Sequence, residues 1–351
     1  MIIIVLYAVF NALLKSNNHF VPGECASLIQ SVTTIGLILL IGKTVGPDTI
    51  AISFITYSLI TFVFLGILSK KYWHLEKSNP LTDPNIKALL KMMLPLLFGY
   101  AMIFINQQVD KMIVSGLGEG VITVMHYAST LSNLITTFIV STCSVVYTYI
   151  ANAISEGNDD KAASLVNIFS LAYITVLLPI SILAIMNAQD IVQIVYGRGA
   201  FNQKAIQNTA IALIGYSVMF VPYALRELLN RFHYGYKDSK TPMINSTIGI
   251  IANIFLSVIL SRVAGVLGVT LATSISVIVM TILNTISASK KNKNLSLRNY
   301  IKYIPLWILG GGACAFFSKF GAIHFQNYKT IMRILLITFL SILSYLTANF
   351  S

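Results

Sequence analysis

Apolar stretches long enough to cross a bilayer recur from one end of this chain to the other, separated by short polar punctuation. Crossing ~30 Å of hydrocarbon takes ~20 helical residues, and there each backbone N–H and C=O must be satisfied within the protein. A chain patterned this way is an all-α polytopic membrane protein. Charged residues make up only 10% of its 351 residues, against about 25% in an ordinary soluble domain. The net charge of +12 does not point to nucleic acid, because the basic residues cluster between apolar runs, as in membrane loops.

Reading for apolar runs bounded by polar residues gives about eleven transmembrane helices: 2–14, 23–42, 48–69, 88–114, 120–151, 162–186, 206–230, 243–261, 267–288, 300–318 and 330–349. Val21-Pro22 and Thr241-Pro242 supply N-terminal signals, the threonine as N-cap and the proline in the first turn. Gly116, Gly118 and Gly120 break the chain between the fourth and fifth helices. With the loops assigned alternately to the two sides, about two thirds of the 24 Lys and Arg share one side, which the positive-inside rule makes cytoplasmic. Lys70, Lys71, Lys237, Lys290, Lys291 and Lys293 belong to it. The C-terminus is then cytoplasmic and the N-terminus outside. The first segment is short for a span and lacks the basic leader and cleavage site of a signal peptide, so a further, separately encoded or upstream portion is expected in front of it.

The chain also echoes itself. Pro22 to Gly46 and Pro242 to Gly265 each run proline, span, glycine turn, over nearly equal intervals. Two hairpins with matching punctuation suggest two related bundles, a common transporter plan. The expected organisation is a partial N-terminal lobe of three helices (1–69), a cytoplasmic linker (70–87), one complete six-helix lobe (88–288) and two additional helices (289–351). Cys25, Cys143 and Cys314 are scattered and the five histidines lack ligand spacing, so neither a disulfide framework nor a metal site is expected. No nucleophile, base and metal constellation marks an enzyme.

Three stretches carry a family resemblance: Val195-Tyr196-Gly197-Arg198-Gly199-Ala200-Phe201-Asn202; the aromatic and charged run from Arg231 to Thr241-Pro242; and Pro95 to Asp110, ending Ile105-Asn106-Gln107-Gln108-Val109-Asp110, followed by Tyr127-Ala128. In this order they resemble the MurJ/MviN family of lipid II flippases, part of the multidrug/oligosaccharidyl-lipid/polysaccharide exporter superfamily. The resemblance matches the family's fourth to fourteenth helices, with 300–318 and 330–349 as the extra pair that forms a lipid-tail groove. It implies an inner-membrane flippase that moves a lipid-linked glycan pyrophosphate by alternating access for cell wall biogenesis. Basic residues of the family's first two helices have no counterpart, and 165–178 contains no Lys or Arg. Alternatives of the same superfamily are a flippase for another lipid-linked oligosaccharide and a cation-coupled drug exporter; a non-transporting remnant or half-protein is the alternative from another class.

A flippase makes no bonds, so ionisable and polar groups inside the membrane are where its chemistry is sought. Asp110, Asn106 and Gln107 share one face of the fourth helix at helical spacing. They read either as a cation or proton site coupled to a Na+ gradient, an H+ gradient or the membrane potential, or as an interfacial helix end. Asn253 and Thr273 could add neutral oxygens suited to a hard cation. Arg226, Glu227 and Arg231 end the seventh helix, where arginine's planar fork suits a pyrophosphate but also simply anchors a helix. Arg198, between two glycines, reads as a headgroup contact or a turn residue. His126, Ser129, Asn133, Thr137, Ser141, Ser144 and Thr148 form a polar stripe along the fifth helix, which serves either close helix packing or a sugar-contacting wall. No cofactor is expected, and the partners are the lipid-linked substrate and membrane lipid.

Overall fold

A computed structural model describes residues 2–17, 19, 21–73, 97, 101–102, 104–295 and 304–324. Every regular element among them is a helix. The chain divides into two compact units, Met1–Leu89 and Leu90–Ser351.

The first unit comprises α1 (Ile2–Ser16), α2 (Val21–Val45) and α3 (Asp48–Ser69), closed by a 3-10 turn at Lys70–Tyr72. Gly46 takes a left-handed φ of 70° between α2 and α3, a conformation that costs other L-residues about 1 kcal/mol or more. A small core forms around Leu14, Ala26 and Leu65. His19 bonds the Tyr72 hydroxyl at 2.6 Å, and Phe10 stacks on Trp73 at 5.3 Å. Leu39 and Leu40 are exposed at 77% and 79%, on a helix long and apolar enough to cross a membrane.

The second unit contains α4 (described over 104–115), α5 (Val121–Ser155), α6 (Asp159–Met186), α7 (Ala188–Tyr196), α8 (Gln203–Ser217), α9 (Phe220–Gly235), α10 (Lys240–Lys291) and α11 (Ile304–His324). Local chemistry explains the boundaries. Gly120, at φ 78°, turns the chain into α5. Asn158 accepts the Lys161 N–H and so caps α6, whose first turn carries Asp159 and Asp160 against the positive end of the helix dipole. Asn202 caps α8 in the same way through the Ala205 N–H. α10 is two helical arms joined at Gly265, where φ 55° and ψ −129° break the helix. Gly46 and Gly265, the glycines of the sequence echo, are thus both left-handed hinges of helical hairpins.

Several details differ from the sequence expectation. The run 206–230 is two helices, α8 and α9, bent by 42° at 218–219. Pro222 has no N–H to bond the Val218 carbonyl, and its ring crowds that position. The segment 188–196 forms α7, nine residues long and too short for a spanning window to register. Thr241 is not the N-cap of α10: the helix begins at Lys240, and the Asp238 carboxylate accepts the Thr241 N–H at 3.0 Å. Five described helices are long and apolar enough to cross a membrane, or six if α8 and α9 count as one broken span. The expected helix 330–349, most of the 70–87 linker and the start of the fourth helix lie outside the described residues.

The two largest apolar clusters of the second unit lie among its helices α5 to α10. One packs Ile139, Ile150, Leu177, Leu228 and Phe232; the other packs Ala128, Val192, Leu213, Tyr216 and Phe220. α11 lies on α6, with Cys314 against Leu183 and a buried 2.9 Å bond from the Asn187 amide to the Ser318 hydroxyl. At one end of the unit a polar clasp gathers three helix termini. Asp238 binds Lys291 at 3.1 Å, Tyr236 donates to Asp159 at 2.6 Å, and Asn294 donates to Asp160 at 3.0 Å.

Candidate functional site

A buried polar cluster joins α4 to the first arm of α10, and that arm to the second. Asp110 is 6% exposed and Asn253 2%. Ser257, one turn beyond Asn253 on the first arm, has its hydroxyl 3.0 Å from an Asp110 carboxylate oxygen and 3.0 Å from the Asn253 amide oxygen. The Asn253 amide nitrogen points the other way, donating to Ser276 on the second arm at 3.4 Å. Ser276 in turn gives its own proton to the Thr273 carbonyl at 2.7 Å, so it can only accept from Asn253, and this fixes the orientation of the amide.

The proton count of this cluster is short. Ser257 has one hydroxyl proton and faces two acceptor oxygens. With Asp110 ionised, one of those oxygens lacks a donor. An unsatisfied buried acceptor costs about 1–3 kcal/mol, so the cluster is chemically suited to take up one proton or one small hard cation. Asn106, a turn before Asp110, adds a buried amide oxygen without a hydrogen-bond partner among the described residues. Two of the sequence candidates stand apart from this arrangement. Gln107 is exposed, and the Thr273 hydroxyl turns back to the Val269 carbonyl of its own helix at 3.3 Å. No cluster of three His, Cys, Asp or Glu that could hold a metal occurs among the described residues. Sequence reading missed Ser257 and Ser276, because serine inside a span ordinarily signals close packing; the i, i+4 spacing of Asn253 and Ser257 was the available signal.

Arg226 is the second feature. Its Nη2 pairs with Glu227 Oε1 at 2.7 Å, and both side chains are largely buried, at 17% and 14% exposure. The guanidinium sits 4.6 Å from the centre of the Tyr223 ring, and Nη1 lies 3.4 Å from the sulfur of Met280. Nε is buried with no hydrogen-bond partner among the described residues. One carboxylate and one weak sulfur acceptor leave several of the five guanidinium N–H donors available to anionic oxygens. Arg231 makes no ion pair among the described residues, and its Nε is likewise buried and unpartnered.

Arg198 is exposed in a turn between Gly197 and Gly199, whose φ is 63°. It borders a cleft of about 520 Å³ that includes Tyr127, Tyr196 and Phe201. Those three rings pack on one another with centroids 4.7 to 5.8 Å apart. The structure thus separates Arg198 from the Arg226 group, at the glycine-turn end of the unit that holds Gly120.

α5 presents three sides. Val124, Ala128, Ile139, Val146 and Ile150 are buried, while Leu134, Phe138, Val145 and Tyr149 are exposed and apolar. The remaining side carries the polar stripe, with His126, Asn133, Thr137, Ser141, Ser144 and Thr148 exposed and Ser129 half-buried. Close packing within the unit therefore does not account for the stripe. Several hydroxyls bond their own helix, such as Ser141 to the Thr137 carbonyl and Ser144 to the Val140 carbonyl, which leaves acceptor lone pairs outward. The stripe runs about 33 Å at ~1.5 Å per residue, enough to traverse the hydrocarbon.

Residues 1–339 match the family model described as lipid II flippase MurJ. The chain belongs to the MurJ family. A probable lipid II flippase MurJ of Rickettsia prowazekii is 25% identical over 283 residues, covering 79% of this chain and 55% of that protein. One from Vibrio cholerae is 24% identical, covering 65% and 44%. The chain thus spans about half the length of these MurJ relatives. Among solved structures, a lipid II flippase MurJ in an inward closed conformation matches with a TM-score of 0.75 at 24% identity, over 99% of this chain and 70% of that one. An inward-facing multidrug resistance MATE family transporter of the MOP superfamily matches at 0.71 and 15% identity, over 84% and 69%. The fold is that of the MurJ and MATE transporters.

Proposed function

We propose that this MurJ-family chain moves a lipid-linked glycan pyrophosphate, lipid II, across the bacterial inner membrane by alternating access, for cell wall biogenesis. The observation that carries this reading is the exposed polar side of α5. Polar groups facing lipid over the full membrane thickness are costly, so a stripe of that length suits an aqueous passage for a sugar-bearing headgroup. Arg226, with Glu227 setting its orientation, meets the pyrophosphate; a guanidinium with spare donors suits an anionic cargo better than a cationic drug. Arg231 adds a second guanidinium on the same helix. The Asp110, Asn253 and Ser257 oxygens, with Asn106 beside them, take the coupling Na+ or H+, so that the ion gradient or the membrane potential drives the cycle. The C-terminus lies on the cytoplasmic side, in keeping with the bias of the basic loops.

Complementation tests it. In a strain depleted of its own lipid II flippase, this chain, expressed with any segment encoded upstream of it, restores lipid II on the outer leaflet. Asp110→Asn and Arg226→Ala each lower that rate about tenfold or more, the loss expected for one charge-assisted contact, at unchanged membrane abundance. Wild-type protein present in the membrane without outer-leaflet lipid II would overturn the assignment.

A further inference from the structure

The buried Asp110 cluster and the Arg226 group are separate, yet one side chain touches both neighbourhoods. Met280 lies on the second arm of α10, one helical turn after Ser276, the residue that accepts from Asn253. Its side chain is 6% exposed and fills the space beside Gly249 so closely that a Cβ there would overlap its Cγ, Sδ and Cε atoms. Gly249 is one turn before Asn253 on the first arm. On its other side, the Met280 sulfur accepts from Arg226 Nη1 at 3.4 Å. Met280 thus bridges the crossing of the two arms to the guanidinium.

We infer that Met280 is a positioning residue that links cation binding at Asp110, Asn253 and Ser257 to the set of Arg226. The inference rests on the transport reading given above. The Gly249–Met280 contact sits one turn from both Asn253 and Ser276, and the arms hinge at Gly265. The bond that clasps them at Asn253 and Ser276 is long, 3.4 Å. A cation that recruits the Asn253 and Ser257 oxygens changes the spacing of the arms at that turn. Methionine, flexible and unbranched, follows the change and carries its sulfur with it. A weak acceptor also suits a guanidinium that must later turn to phosphate oxygens, since sulfur is more easily displaced than a carboxylate.

Linkage makes this measurable, because two coupled sites change each other's affinity by the same factor. The purified full chain in lipid nanodiscs is titrated with undecaprenyl pyrophosphate in sodium chloride and in choline chloride at two pH values, and with sodium with and without the pyrophosphate. Wild type shows a coupling factor of roughly tenfold. Met280→Leu, nearly isosteric but without the sulfur acceptor, binds each ligand alone about as wild type does but brings the factor close to one. Met280→Gln, which restores a flexible acceptor, retains coupling; a residue needed only for packing would show the reverse, tolerating leucine and not glutamine. Gly249→Ala, which displaces the methionine from the other side without replacing Arg226 or any cluster residue, also uncouples. Coupling that survives in both Met280→Leu and Gly249→Ala would overturn the role of Met280 and leave the transport reading standing. A wild type that binds neither pyrophosphate nor cation would overturn both.

Discussion

At the scale of single residues, spacing in the sequence located some of the chemistry but could not choose partners. Asp110 and Asn253 stood out because charged and amide side chains are rare inside spans. That Ser257 shares one proton between them is a matter of tertiary geometry, and no periodicity encodes it. Arg226 and Glu227 were visible as neighbours, yet their burial and the Met280 sulfur beside them were not. The clasp gives a stability test at this scale. Burial alone would raise the Asp238 carboxyl, but the hydrogen bonds from Thr241 and the Lys291 ammonium outweigh it and hold the group well below the usual carboxylate range. A folded-state value below the unfolded value of about 3.9 stabilises the fold above that pH, and the gain is lost as pH falls through the folded value. Asp238→Asn therefore lowers stability by about 1 kcal/mol at neutral pH. In melts followed by circular dichroism, the gap between the two proteins persists at pH 5 and closes only well below pH 3.9. A gap that closes between pH 7 and 5 would place the stabilisation elsewhere.

At the scale of elements, apolar length was the strong signal and local backbone chemistry the weak one. The long spans α5, α6 and the arms of α10 were legible because each covers the hydrocarbon thickness with few charges. The α8–α9 break was not, since hydropathy is continuous across Val218 and only Pro222 marks it. α7 was missed because nine residues fall under any spanning window. Where helices cross tightly, the cause is again local. Ser274 donates to the Gly215 carbonyl at 2.6 Å, and a Cβ on Gly215 would overlap the Thr270 side chain. Gly215→Ala should cost about 1–3 kcal/mol by overpacking α8 against α10, read as a lowered melting temperature; Gly312→Ala, which meets open space, serves as the neutral comparison. The three sides of α5 give a second element-scale prediction. Single cysteines at Asn133, Thr137, Ser141 and Ser144 react with a membrane-impermeant thiol reagent, whereas cysteines at Leu134, Phe138 and Val145 do not, because thiolate chemistry needs water. Equal reactivity of the two sets would remove the aqueous face.

At the scale of the whole molecule, the fold class was legible because a bilayer leaves a helical chain few choices, while the assignment of its two ends to the two sides of the membrane rests on charge. The second unit makes that charge argument three-dimensional. The clasp gathers the start of α6, the α9–α10 turn and the end of α10, and with them Lys161, Lys237, Lys240, Lys290, Lys291 and Lys293. The opposite end, around Gly120 and the Arg198 turn, has Lys204 nearby in sequence and few other basic residues. Basic residues near helix ends resist translocation, so the topology proposed above puts the clasp end on the cytoplasmic side. Lys293 and Lys204 are both exposed, which makes them suitable reporters. In intact spheroplasts an impermeant maleimide labels Lys204→Cys and leaves Lys293→Cys untouched until the membrane is permeabilised. The reverse pattern would invert the topology, and with it the side on which Arg226 meets its cargo; labelling of both sites in intact spheroplasts would deny that the unit crosses the bilayer between its two ends.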